Sequence, residues 1–224
     1  MNKIIDLTHP IEEGMTSFDA YWHPKVSIVQ AGKIDSEGRE TRKISFGSHT
    51  GTHMDAPLHF VKGGKSIDQI PLDKLIGKVT IVDLTNLKEN QMVTRKMLEN
   101  ITITKRMLFK FGWGKQWGSK AFYQDYPFFS EEAVNYLIAN NVELAAMDTP
   151  SPDDSRIKLS KEVLGSKGDS PMHKLFLKNG VILVEYIANL DQVEDYDGWN
   201  IIVMPLKIKG ADGSPARVCI YKGV

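Results

Sequence analysis

The chain has a single cysteine, Cys219, among 224 residues. An internal disulfide is therefore excluded, which accords with a reducing compartment. Charge of one sign is also lacking: 28 basic and 28 acidic residues cancel. That balance argues against nucleic acid or an anionic membrane surface as a partner. No uncharged apolar run is long enough to span a bilayer. Near the start, Asp6 interrupts Ile4-Ile5-Asp6-Leu7 where a secretory signal needs a continuous apolar core. The expectation is a cytoplasmic protein free of the membrane. Repeats, low-complexity tracts and linkers are missing too, so one domain over residues 1–224 is expected. Hydrophobic content of 42% and charged content of 25% are ordinary globular values.

Histidine is scarce, and half of it is in one place. Of six histidines, three lie in the stretch from His49 to His59, as His49, His53 and His59 with Asp55 among them. All four fall on odd positions, and in extended chain residues two apart share a face. Gly51, Pro57 and the threonines disfavour a helix here. A straight strand fails as well, because four residues at roughly 3.3 Å each would part His49 from His53 by about 13 Å. The segment must bend, and Gly51 is the residue able to allow it. A kinked ribbon with His49, His53 and Asp55 converging on a metal is predicted. Two imidazoles and a carboxylate suit zinc, manganese or iron(II), with positions left open for water. A metal lowers the pKa of such a water, and His59 is the spare base that can exchange its proton.

Elsewhere the pattern alternates strands with helices. Lys3 to Leu7, Lys25 to Ala31, Arg42 to Phe46, Lys78 to Leu84 and Arg106 to Phe111 read as strands. So do Glu143 to Met147, Val181 to Ile187, Trp199 to Ile208 with a break at Pro205, and Val218 to Tyr221. Helices are expected over Thr94 to Asn100, from Ser130 to Asn140-Asn141, and from Ser170-Pro171 to Asn179-Gly180. Glu185 falls in a strand that reads as buried, so it needs a partner, either a basic side chain or a metal. Asp148 follows a strand, where it positions substrate or a ligand, or else builds a plain turn. The aromatic residues Phe18, Tyr21, Trp22 and Trp113 suit stacking on a substrate and suit ordinary packing equally.

These residues together resemble a known family. His49-Thr50-Gly51-Thr52-His53-Met54-Asp55-Ala56-Pro57-Leu58-His59 is similar to the signature of the cyclase family of metal-dependent hydrolases, which includes bacterial kynurenine formamidase and isatin hydrolase. Ile5-Asp6-Leu7-Thr8, Phe111-Gly112-Trp113, Asp148 to Asp153, His173, Glu185 and Gly213 to Arg217 follow in the expected order. The resemblance implies a single α/β domain of the swivelling β/β/α type, a mixed sheet with flanking helices, assembled as a homodimer or homotetramer. It implies that His49, His53 and Asp55 hold one ion and that Asp55 bridges to a second held by His173 and Glu185. Zinc is the expected metal, in one or two ions per chain, with manganese as the other choice. His59 is the implied general acid/base, and Phe18, Trp22, Trp113 and Asp148 are expected near an aromatic amide substrate. The implied reaction is hydrolysis of a formamide such as N-formylkynurenine, as in tryptophan catabolism, or of a lactam such as isatin. Phe111 stands where the family often has threonine, and the stretch from Phe18 to Pro24 lacks the usual Tyr-Pro-Gly character, so the substrate is the open part of this expectation.

Two other readings use the same residues. His53, Asp55 and His173 mimic the two-histidine, one-carboxylate triad of iron(II) oxygenases. That scheme leaves His49, His59 and Glu185 without roles. A non-catalytic metal-binding protein of the same fold would leave His59 unexplained.

Overall fold

The computed structural model describes residues 3–157 and 160–223. In chain order the strands are β1 (Lys3–Asp6), β2 (Ser27–Gly32), β3 (Thr41–Ser45), β4 (His53–Asp55), β5 (Ile76–Lys78) and β6 (Thr80–Asp83). Then come β7 (Met92–Val93), β8 (Arg106–Lys110), β9 (Phe128–Phe129), β10 (Leu144–Met147), β11 (Ile182–Glu185), β12 (Asn200–Pro205) and β13 (Gly213–Lys222). The α-helices are α1 (Ile34–Glu37), α2 (Leu72–Leu75), α3 (Arg95–Leu98), α4 (Glu131–Ala139) and α5 (Pro171–Lys178).

Nine strands form one mixed sheet in the order β5-β12-β13-β4-β11-β10-β8-β6, with β1 added to β13. The β6, β8, β10 and β11 strands run parallel, and the direction reverses where β11 meets β4. Each central parallel strand is buried on both faces. Leu144 and Ala146 of β10 enter one core with Trp199, Ile201 and Val218. Ala145 and Met147 enter the other, with Phe109, Phe129, Leu137 and Phe176. The period-2 alternation of side chains sends neighbours to opposite faces, so these strands read as unbroken apolar runs.

The expected strand from Lys78 to Leu84 is present as β6, while Lys78 at its start instead ends β5. β5 pairs with β12 and β6 with β8, so a single run serves both ends of the strand order. Val79 between them donates to Trp199 O at 3.1 Å. The sheet is thereby curled almost into a barrel. β12 stops at Pro205, whose ring has no N–H for the ladder. β2 and β3 form a separate ribbon with Val29 and Ile44 exposed.

The helix starts divide. Ser130 caps α4 by accepting from Ala133 N at 3.1 Å. Ser170, expected to cap α5, makes no such bond and is left-handed at φ 47°. Asp153 takes that place, accepting from Met172 N at 2.6 Å and His173 N at 3.2 Å. A carboxylate also answers the positive end of the helix better than a hydroxyl does.

Candidate metal centre

β4 lies between β11 and β13, and this fixes the site. His53 is registered with Glu185 on one side and Pro215 on the other. Asp55 is registered with Leu183 and Gly213. Gly51 turns the chain at φ 59°, which returns His49 towards its own strand. His59 sits in a 3-10 turn at Pro57–His59. The N-terminus of α5 adds His173. All of this lies at the carboxyl ends of the parallel strands, where open α/β sheets carry their sites.

The donors converge closely. His49 Nδ1 is 2.8 Å from Asp55 Oδ1. His53 Nε2 is 3.4 Å from both Asp55 Oδ1 and Glu185 Oε2. His173 Nε2 is 3.1 Å from Glu185 Oε1 and 3.6 Å from Asp55 Oδ2. His53, Asp55 and Glu185 are buried with donor atoms within 4.8 Å of one another, and His49, Asp55 and His59 form a second such group.

The outer nitrogen of each ring sets its tautomer. His53 Nδ1 lies 2.8 Å from Gly51 O, which only accepts. His173 Nδ1 lies 2.5 Å from Asp153 Oδ2, and His49 Nε2 lies 2.8 Å from Asp212 Oδ2. Each outer nitrogen must therefore donate, which leaves the inner one facing Asp55 or Glu185, with a second proton in the metal-free protein and a lone pair once an ion displaces that proton. Lone pair facing carboxylate is repulsive unless a positive charge lies between. Among the described residues, Asp55 Oδ2 and Glu185 Oε1 are moreover buried without a hydrogen-bond partner. A divalent cation satisfies all of these atoms at once, so the residues fit a metal.

The electrostatics agree. Burial works against charge on His53, but Asp55 and Glu185 outweigh it and push the ring up to about 10. His173 is raised well above its ordinary value, again against burial, by Glu185 and Asp153. Burial would raise Asp55, yet His49 and His53 hold it well below the usual carboxylate range. The cluster attracts positive charge strongly.

A cavity of about 370 Å³ opens onto these donors. Phe18, Tyr21 and Trp22 line its mouth, and Tyr123, Tyr126 and Tyr186 its wall. Two expected substrate residues lie elsewhere. Trp113 is outside the lining, its indole donating to Phe122 O at 2.8 Å. Asp148 is also outside it; its carboxylate accepts from Phe111 N at 2.8 Å and Trp113 N at 2.9 Å, closing the turn at Gly112. Burial pushes Asp148 up to about 6 despite those bonds.

Asp153 and Asp212 were not picked out from sequence. Each holds the outer nitrogen of a histidine. The available signal was their place in the turn sequences Pro152-Asp153-Asp154 and Ala211-Asp212-Gly213, and turn aspartates are common without any such role.

The fold and donor set define an enzyme of the metal-dependent hydrolase class, acting on a small molecule with a metal cofactor. The Cyclase family model matches residues 5–154, and the chain belongs to that family. It is 30% identical over 219 residues to a kynurenine formamidase of Bacillus cereus, with 96% of each chain covered. It is 28% identical to a kynurenine formamidase of Bacillus anthracis, covering 98% of this chain and 97% of that one. Among solved structures it is similar to isatin hydrolase A from Labrenzia aggregata bound to benzyl benzoate. The TM-score there is 0.83 at 25% identity, with 99% and 94% of the two chains covered. A structure described as a potential metal-dependent hydrolase with cyclase activity gives a TM-score of 0.77 at 27% identity and covers all of both chains.

Proposed function

We propose that this protein hydrolyses the C–N bond of an aromatic formamide or lactam, with N-formylkynurenine and isatin as the first substrates to try. The observation that carries the reading is the convergence of the inner ring nitrogens of His49, His53 and His173 on Asp55 and Glu185 at the floor of an aromatic-lined cavity. The relatives' activities support the amide bond as the target.

His49, His53 and Asp55 would hold one ion, and His173 and Glu185 a second that shares Asp55. Zinc is the metal we assign, with manganese as the alternative, since both accept nitrogen and oxygen donors. A cation there supplies Lewis acidity and water of lowered pKa when bound. His59 stands at the cavity, its Nδ1 donating to Asp212 Oδ2 at 3.1 Å, which leaves Nε2 free to take a proton and return it to the leaving nitrogen. Phe18 and Trp22 bound the space in which an aromatic ring would stack. The cavity size suits a small ligand.

Residues 1–224 act as one domain in this reading. Exposed Val29, Ile34 and Ile44 on the β2–β3 arm support assembly into a homodimer or homotetramer, which light scattering would measure. No helix among the described residues is long and apolar enough to cross a membrane. The lone Cys219 accords with the cytoplasm.

The test is turnover of a panel of formamides, lactams and esters by zinc- or manganese-loaded protein, with and without oxygen. Hydrolysis that persists anaerobically and stops on chelation is expected. Turnover only in oxygen would favour the iron(II) reading, and turnover untouched by chelator would remove the metal from the reaction.

A further inference from the structure

We propose that Asp212 is a positioning residue which sets the proton arrangement of His49 and His59 together, tying the ion-binding ring to the acid/base ring through one carboxylate oxygen. The assignment of roles to those rings rests on the proposed hydrolase reading; the geometry does not.

Asp212 Oδ2 lies 2.8 Å from His49 Nε2 and 3.1 Å from His59 Nδ1. A carboxylate only accepts, so both nitrogens donate to it. In the neutral ring that an ion would require, His49 has its lone pair on Nδ1, 2.8 Å from Asp55 Oδ1. His59 is left with its lone pair on Nε2. The two rings have centroids 4.0 Å apart and are tilted by 34°. A flip of either ring would break that ring's own bond to Asp212. A neutral imidazole free of such a partner divides between two tautomers, and only one of them can serve as a base at Nε2.

Asp212 is not held in place by burial, since its side chain is 39% exposed. The backbone holds it. Ala56 N donates to Asp212 O at 2.9 Å, and the next residue, Gly213, is registered with Asp55. The carboxylate is thus tied to the strand that carries His53 and Asp55. Asp212 is absent from the converging donor groups found among the described residues, so it stands behind the rings rather than among the ligands. Carboxylate support of a ligating histidine is a general device. What this arrangement adds is that the same oxygen also holds the acid/base histidine.

The experiment uses the full chain loaded with zinc and labelled with ¹⁵N in the imidazole rings. Wild type is expected to show His59 protonated at Nδ1, and Asp212→Asn to shift it towards the Nε2–H form. With the best substrate of the panel, Asp212→Asn should lower kcat about 10–100-fold while KM changes little. The Asp212→Asn/His59→Ala double variant should be no slower than His59→Ala alone. Unchanged ring resonances, or losses that multiply in the double variant, would overturn the proposal. So would loss of bound zinc with no change of tautomer, which would make Asp212 a support of the ion alone. Asp212→Ser, which also cannot accept from both rings as a carboxylate does, gives the same readouts if the asparagine variant misfolds. If wild type hydrolyses nothing in the panel, the functional reading fails, while the ring spectra still decide the role of Asp212.

Discussion

His49 and Gly213 are packed against each other so closely that a methyl group at 213 would lie 2.6 Å from His49 Cε1. No real Cβ tolerates that approach, and backbone pairing with Asp55 holds residue 213 in place. Gly213→Ala therefore displaces His49. Zinc affinity, read by chelator competition, is expected to fall about 10–100-fold, with the fold retained by circular dichroism. Undiminished affinity would show that His49 contributes little to the ion.

Metal binding should release protons. His53 is pushed up to about 10 by Asp55 and Glu185 in spite of burial, and His173 is raised as well. Both rings therefore carry protons near neutral pH before an ion displaces them. Affinity should rise with pH, and calorimetry in buffers of different ionisation heat should show net proton release. Identical heats across buffers would contradict the proposed ligand set.

His9 gives a second pH effect, in stability. Its ring stacks on Trp117 at 3.8 Å with planes 10° apart, and Nε2 is buried with no hydrogen-bond partner among the described residues. Burial pushes His9 down to about 4 from an unfolded value near 6.5. The unfolded chain binds the proton first as pH falls, so the stabilisation is complete above about 6.5 and is lost through about 4. His9→Phe should flatten that dependence in urea unfolding at pH 4, 5.5 and 7.5. Parallel curves for wild type and variant would refute it.

Tyr186 is left-handed at φ 56°, directly after Glu185. A non-glycine residue there costs about 1–2 kcal/mol. Its ring nonetheless packs 5.3 Å from Phe122 and 5.0 Å from His53. Truncating a buried aromatic costs about 3–5 kcal/mol, so packing outweighs strain. Tyr186→Gly is expected to lose about 2 kcal/mol net in chemical denaturation. A more stable variant would show the opposite balance.

Much of this could be read locally. The bend at Gly51, the cap at Ser130 and the stop at Pro205 each depend on a few adjacent residues, and the structure has all three. The strand over Lys78 to Leu84 was legible, but an apolar run does not say where pairing changes partner, and Val79 is where it does. Ser170 misled because Asp153, supplied by a distant loop, takes the cap. Trp113 and Asp148 had the right composition for a substrate site, but the Trp113 indole donates to Phe122 O and the Asp148 carboxylate accepts from the Phe111 and Trp113 amides.

The sequence alone determined that His49, His53 and Asp55 share one bent ribbon, because spacing and backbone preference are properties of neighbours, while His59 follows it in a 3-10 turn. The tertiary structure alone decided what faces them. Pairing of β4 with β11 and β13 sets Glu185 opposite His53 and brings Asp212 behind His49 and His59. Those partners come from remote parts of the chain, and only hydrogen-bond register between strands fixes which residues meet.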